Sequence, residues 1–378
     1  MKAVISAFAR SPQHFARKGA LAGIRPDDLA AQVVSGLLSR TPLDPALIED
    51  VVLGCAYPEG PQGSNLARIV GFLARLPQEV GGMTVNRFCG SSMSAIQIAA
   101  AQIEAGIGDA YLCVGVESMS MVPQGGFNRS PNPVLVSPHT NAYITMGETA
   151  ENVAKRYSIS RHDQESMAVE SHRKAAQARE QGRLRDEIVP IRLESGEMIE
   201  ADGCIRPGTT LEALAALKPA FSADGVVTAG TSSPLTDGAS AVLLTSDEFA
   251  ARHGLNPLAR IKAMATIGCD PAVMGIGPIP ATRKAMQRAG IDVAALDVVE
   301  INEAFAAQAL ACIRELRLNP ATINIDGGGL ALGHPLGATG ARITGKAASL
   351  LKREKGRYAL ATQCIGGGQG IATVLEAA

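Results

Sequence analysis

Val85-Asn86-Arg87-Phe88-Cys89-Gly90-Ser91-Ser92-Met93-Ser94 is the end of a short apolar strand that runs through a cysteine into a helix of small residues. A cysteine at a strand-to-helix junction faces unpaired N–H groups and the positive end of the helix dipole, and both favour its thiolate. That is where a nucleophile would be put. The stretch reads equally well as one more small buried hydrophobe, as most free cysteines are. The rest of the chain has to decide.

Outward from this junction the pattern is that of an α/β core. The helix Ser92 to Ala105 is so rich in Ala and Ile that it is predicted to be buried on most sides, and Ala110 to Val116 follows as a buried strand. Upstream, Ala3 to Ala9 and Ile48 to Gly54 read as strands, and Asp28 to Leu38 and Asn65 to Leu76 as helices. After Glu117-Ser118-Met119 the composition changes. Pro123 to Thr145 is rich in Pro, Gly, Asn and Ser, and two charged helical patterns run from Glu148 to Asp186, the second opening on a Ser160/Asp163 capping box. This segment is expected to be a surface insertion that returns to the core through Val226 to Ser233.

The last third repeats the first in outline. Asp50-Val51-Val52-Leu53-Gly54 is echoed by Asp297-Val298-Val299-Glu300-Ile301, and Tyr111 to Val116 by Tyr358 to Thr362. The Cys89 junction is echoed by Ile323-Asn324-Ile325, a Gly-rich loop and the helix Ala338 to Leu351. Two copies of one plan with corresponding junctions imply a pseudo-twofold pair of α/β halves with a site between them.

Composition narrows the function. The chain has 378 residues, enough for two packed cores or one core with a sizeable insertion. Aromatic residues make up only 3% while Gly reaches 40, so the interior must be filled by aliphatic side chains and close backbone contacts. A formal charge of -1, with no basic run interleaved with aromatics, indicates neither a nucleic-acid groove nor an anionic membrane surface. No segment approaches a membrane span, and Met1 to Arg10 lacks the form of a signal peptide. Seven cysteines without a CxxC pair or zinc spacing fit a reducing compartment, so a cytoplasmic location and no metal are expected.

Three further motifs could carry chemistry, and each has a bland alternative. Asn302-Glu303-Ala304-Phe305-Ala306 puts an amide and a carboxylate where a strand ends, or is only a helix N-cap with a first-turn acid. Gly333-His334-Pro335-Leu336-Gly337-Ala338-Thr339-Gly340 holds a histidine in a loop that can approach other backbone, or a structural turn. Cys364-Ile365-Gly366-Gly367-Gly368-Gln369-Gly370 joins a second cysteine to a cluster able to aim N–H groups at an anion, or a tight turn. Two decoys fall away: Gly340 to Lys346 matches GxxxxGK, but Ala347 stands where a phosphate loop needs Ser or Thr, and neither Gly cluster has the GxGxxG spacing.

Together, a helix-tip cysteine, a loop histidine, a second cysteine beside N–H donors and an Asn at a strand end suit acyl transfer with carbanion chemistry. At this point the sequence resembles a thiolase over essentially its whole length, through NRFCGSS, MGETAENVA, TAGTSSPLTDGA, NEAFA, GHPLGATGAR and CIGGGQG. RPGTTLEALAALKPAF and GCDPAVMGIGPIP look most like the degradative 3-ketoacyl-CoA thiolases. The resemblance implies a five-layered αβαβα fold. It divides into an N-terminal half, residues 1–118 completed by about 239–256, an inserted CoA-binding loop domain, 119–238, and a C-terminal half, 257–378.

It also implies the chemistry. Cys89 attacks the 3-keto carbonyl, His334 takes the thiol proton, and Cys364 protonates the acetyl-CoA enolate. His334 and a water held by Asn302 bind the thioester oxygen, and the N–H groups of Cys89 and Gly366 hold the acyl carbonyl, such donors contributing roughly 3 kcal/mol each. CoA is a substrate, and no cofactor is needed. Ser233 matches the family's pantetheine contact and Arg206 the arginine near the adenine, while Met146, Phe221, Ala229 and Phe305 match the apolar wall. Thr145 and Thr231 stand where many members have His and Asn. Acetoacetyl-CoA condensation is the nearest alternative, a non-catalytic lipid carrier a remote one, and a ketoacyl synthase would carry a second histidine where Cys364 stands. The family's strand pairing implies a homodimer, with a tetramer or a hetero-complex with other β-oxidation subunits as larger alternatives.

Overall fold

The computed structural model describes residues 2–136 and 140–378, so residues 137–139 of the Pro123 to Thr145 stretch lie outside the described residues. Apolar residues on both faces of successive strands build a large mixed sheet. Its first half contains β1 (Ala3–Arg10), β2 (Asp50–Gly54), β3 (Gly81–Val85), β4 (Ala110–Ser118) and β5 (Thr236–Ser246). Its second half contains β6 (Ala259–Gly268), β7 (Val298–Ile301), β8 (Tyr358–Ile365) and β9 (Gln369–Glu376). The order β3-β2-β4-β5-β1 continues as β6-β9-β8-β7.

That order makes the repeat concrete. β2 runs parallel to β3 and β4, β4 antiparallel to β5, and β5 antiparallel to β1. On the other side β7 runs parallel to β8, β8 antiparallel to β9, and β9 antiparallel to β6. The counterpart of β3 is a single parallel bridge between Val299 and Ile323. The halves meet at β1 and β6, through Val4 opposite Arg260 and Ile5 opposite Ala259.

Five layers follow from which strand faces are apolar. Val51 and Leu53 of β2 pack outward against α1 (Pro26–Ser39) and α2 (Leu66–Leu73), while Val52 packs inward. The inward faces of both halves close on α3 (Ser91–Glu104) and α8 (Leu336–Arg353). The outer face of the second half is covered by α6 (Pro278–Ala289) and α7 (Ala306–Leu316). The central layer is tight. A Cβ added at Gly340 of α8 would lie 2.2 Å from the Met93 nitrogen of α3, and one at Gly54 2.2 Å from the Ser92 nitrogen.

The segment between β4 and β5 carries α4 (Met146–Arg156) and α5 (Arg161–Glu180). A reciprocal capping box sits at Thr145 and Glu148, and at Ser160 the hydroxyl accepts from the Asp163 N–H. Buried ion pairs tie this segment to the core. Arg10 of β1 pairs with Asp202 at 2.7 Å and Glu187 at 2.8 Å, and Lys346 of α8 pairs with Glu187 and Asp326, each at 2.7 Å. α2 stops short of the predicted Leu76 because Arg75 turns left-handed, with φ 57°, and the Leu76 N–H closes on the Gly71 carbonyl.

Candidate active site

Cys89 lies between the edge strand β3 and α3, on a turn fixed by local hydrogen bonds. Ser91 Oγ accepts from the Arg87 N–H at 2.9 Å and donates to the Phe88 carbonyl at 2.6 Å, and Asn86 Oδ1 accepts from the Phe88 N–H at 2.8 Å. Phe88 is held at φ 45°, a conformation costly for an aromatic residue and a mark of functional turns. The corresponding junction of the second half repeats it: Asn324 has φ 44°. Gln363 Nε2 donates to the Cys89 carbonyl and so ties the turn to β8.

The helix-tip reasoning predicts a thiol already inclined to ionise, and the structure corrects it. Burial pushes Cys89 up to about 11, aided by the nearby Glu117 charge, while the N–H groups of Gly366 and of Cys89 itself pull the other way. Desolvation by the surrounding protein outweighs the dipole of a helix end. Cys89 is therefore a thiol in the substrate-free protein, and a base has to take its proton.

His334 is the candidate for such a base. It is buried, and burial together with the Arg342 guanidinium lowers it to about 3, so the ring is neutral. Its Nδ1 lies 2.6 Å from Thr339 Oγ1, whose own hydrogen goes to the Pro335 carbonyl at 2.9 Å. The hydroxyl can then only accept, which puts the ring proton on Nδ1 and leaves Nε2 with its lone pair. The Asn302 amide nitrogen lies 3.3 Å from both ring nitrogens, and its Oδ1 is buried without a partner among the described residues. Gln308 holds the Asn302 loop by donating to the Asn302 carbonyl and accepting from the Phe305 N–H.

Cys364 completes the group. It is buried at the end of β8, where burial and the neighbouring Cys89 push it well above the ordinary thiol range. It packs with Met146, Ala304 and Phe305. Gly366 is buried, and Met146 Sδ lies 3.5 Å from where its Cβ would be. Asn302 joins the same strand end, its N–H donating to the Thr362 carbonyl at 3.0 Å.

The apolar-wall residues fall into two groups. Met146 opens α4 beside Gly366, and Phe221 meets Phe305 edge-to-face, with centroids 5.9 Å apart. Ser233 is tied to the same loop, its N–H donating to the Ala304 carbonyl at 2.9 Å, and Ala229 is exposed on the preceding turn. Arg206 stands apart from this group, on His172 at 3.2 Å and over the Phe15 ring. Thr145 and Thr231 both serve locally, Thr145 as the α4 cap and Thr231 by accepting from the Thr228 N–H. Thr339, Gln363 and Glu117 were not singled out as site residues by the sequence. Thr339 alone left a signal, as a hydroxyl one helical turn beyond Pro335.

Residues 3–248 match the family "Thiolase, N-terminal domain" and residues 255–377 match "Thiolase, C-terminal domain". The chain belongs to the thiolase family. This thiolase is 47% identical to the β-ketoadipyl-CoA thiolase of Escherichia coli, with 95% of each chain covered. It is 44% identical to the 3-ketoacyl-CoA thiolase of Bacillus subtilis, with 99% of each covered. With the 3-ketoacyl-CoA thiolase of Marinobacter nauticus it shares 47%, over 97% of this chain and 96% of that one. It is accordingly an acyltransferase of the thiolase fold.

Proposed function

We propose that this thiolase cleaves 3-ketoacyl-CoA with CoA, giving acetyl-CoA and a shortened acyl-CoA through an acyl-Cys89 intermediate. The observation that carries the reading is a neutral His334 whose proton Thr339 places on Nδ1, leaving Nε2 as an acceptor beside the Asn302 amide, together with the half-buried Cys89 and the buried Cys364 as neighbouring thiols. His334 Nε2 takes the Cys89 proton, and the thiolate adds to the 3-keto carbonyl. The carbon–carbon bond breaks toward the thioester, whose enolate oxygen is held by the imidazolium and an Asn302-bound water. Cys364 protonates the enolate carbon, and acetyl-CoA leaves. The resulting Cys364 thiolate takes the proton of an incoming CoA thiol, which attacks the acyl carbonyl at the Cys89 and Gly366 N–H groups. Cys89 leaves as thiolate and recovers its proton from His334. All protons return, and no oxidant is consumed.

In this reading residues 119–238 form the CoA-binding domain, with Met146, Phe221, Ala229, Phe305 and Ser233 along the pantetheine and Arg206 toward the adenine. The direction is degradative, of the β-oxidation type, in the cytoplasm. The protein acts as a homodimer; what supports this is the half-exposed edge strand β3, which leads straight into the nucleophile turn. Light scattering that returned a monomer at micromolar concentration would refute the dimer. The test of function is a panel of 3-ketoacyl-CoAs, from four-carbon to long-chain, cyclic and carboxylate-ended, followed by the loss of enolate absorbance on adding CoA. Stoichiometric acyl binding with no turnover of any member would make the protein a carrier.

A further inference from the structure

Glu117 has no part in the chemistry above, yet the loop after β2 and the turn after His334 meet at its carboxylate. It lies near the end of β4 and is 1% exposed. Oε2 accepts from the Ala56 N–H and the Gly337 N–H, each at 2.8 Å. Oε1 accepts from Gln62 Nε2 at 2.8 Å, the Tyr57 N–H at 3.3 Å and the Cys55 thiol at 3.7 Å. Among the described residues every hydrogen-bond neighbour donates, and a protonated carboxyl would find only the weakly accepting Cys55 sulfur for its hydrogen. The array selects the anion, against the burial that favours the acid.

The donors come from both halves. Ala56 and Tyr57 follow β2, and Tyr57 packs in one cluster with Cys89 and Leu336. Gly337 is the second residue of α8, three beyond His334, so the carboxylate also sits at the positive end of the helix that follows the His334 turn. The titratable groups facing Cys89 are Glu117 from β4, Tyr57 from the loop after β2 and Cys364 from β8, while Arg129, after β4, faces Tyr57.

We infer that Glu117 is a positioning residue for thiolysis: its buried carboxylate holds the His334 turn against the wall of the Cys89 pocket and sets a negative charge beside that thiol. The charge keeps Cys89 a thiol until His334 takes the proton, and the hydrogen bond to Gly337 fixes where His334 stands. This rests on the thiolase reading of the site, but alkylation of Cys89 tests it without turnover.

The experiment compares full-length wild type, Glu117→Gln and Glu117→Asp. Iodoacetamide labelling of Cys89, mapped by mass, is followed against pH, and kcat and KM for CoA are measured in thiolysis. Glu117→Gln removes the charge and turns an NH2 toward N–H donors. Its labelling midpoint is expected at lower pH than wild type, with kcat down about 100-fold and KM little changed, because a displacement of about 1 Å costs that much. Glu117→Asp keeps the charge but draws it back from Gly337, so it is expected to keep the wild-type midpoint and lose kcat. An unchanged midpoint in Glu117→Gln overturns the inference, whatever happens to kcat. If Glu117→Gln does not fold, Glu117→Asp decides: lowered kcat with an unmoved midpoint supports the inference, and wild-type kcat or a moved midpoint overturns it. A wild type that labels as expected but turns over no 3-ketoacyl-CoA would instead sink the proposed function.

Discussion

Replacing Thr339 by Val tests the tautomer assigned to His334. The change keeps the side chain's shape and removes the oxygen 2.6 Å from Nδ1. A buried N–H left without an acceptor costs about 1–3 kcal/mol. The imidazole can escape that cost by moving its proton to Nε2, but Nε2 then has no lone pair for the Cys89 thiol. Either way the competent form is depleted, and since each 1.4 kcal/mol is a factor of ten, kcat is expected to fall about 10- to 100-fold. KM for CoA should hardly move, because Thr339 is fully buried in α8 and faces the ring. Thr339→Ser restores the acceptor and should stay within a few-fold of wild type. The assay is the decay of 3-ketoacyl-CoA enolate absorbance at saturating CoA, normalised to folded protein by thermal melt. Wild-type kcat in Thr339→Val, or a Thr339→Ser variant as impaired as the valine, would show that the hydroxyl does not set the tautomer.

Other outcomes follow from the same geometry. Incubation with acyl-CoA should put a single acyl group on Cys89; an adduct on Cys364 with Cys89 free would reverse their roles. Cys364→Ala should lose full thiolysis while still accepting label from acetyl-CoA, and Cys364→Ser should be nearly as poor because its hydroxyl holds its proton too tightly. His334, at about 3 in the folded chain against an ordinary 6.5, binds fewer protons there than when unfolded, so its share of stability is whole above pH 6.5 and lost as pH falls toward 3. In urea titrations the stability gap between wild type and His334→Asn should therefore narrow across that window, by up to ~5 kcal/mol; a gap independent of pH would contradict a neutral buried ring. Arg10→Met strands Asp202 and Glu187 in the interior and should cost about 3–5 kcal/mol in the same measurement. A loss below about 1 kcal/mol would show that these pairs do not hold the inserted segment to the core.

The candidate residues of the site stand out in the sequence because each sits at a strand end or on a glycine loop, where the local sequence already breaks its period. The repeat was readable too, since β2 and β7 carry almost the same run of apolar residues after an aspartate. What could not be read lies in contacts across the fold. Thr339 looks like any helix hydroxyl until its partner is seen, and Glu117 ends a strand whose other residues are nearly all apolar. The protonation of Cys89 was misjudged for a related reason. A strand-to-helix junction advertises the dipole, but the depth of protein around it comes from β8, the Gly366 loop and the Tyr57 loop, far apart in the chain. Arg10 likewise reads as the polar end of a strand and is fully buried among carboxylates supplied by residues 187 and 202.

The glycine contacts of the central layer decide where change can accumulate in a lineage of such proteins. Any side chain larger than hydrogen at Gly340 would wedge α8 from α3, and one at Gly54 would push α3 off β2, while Cys89 and His334 stand just ahead of the starts of α3 and α8. The spacing of the reacting groups is thus inherited as one block that tolerates little drift. Met146, Phe221 and Ala229 belong to elements outside that layer, so a descendant can reshape the wall proposed for CoA there while Cys89 and His334 keep their distances.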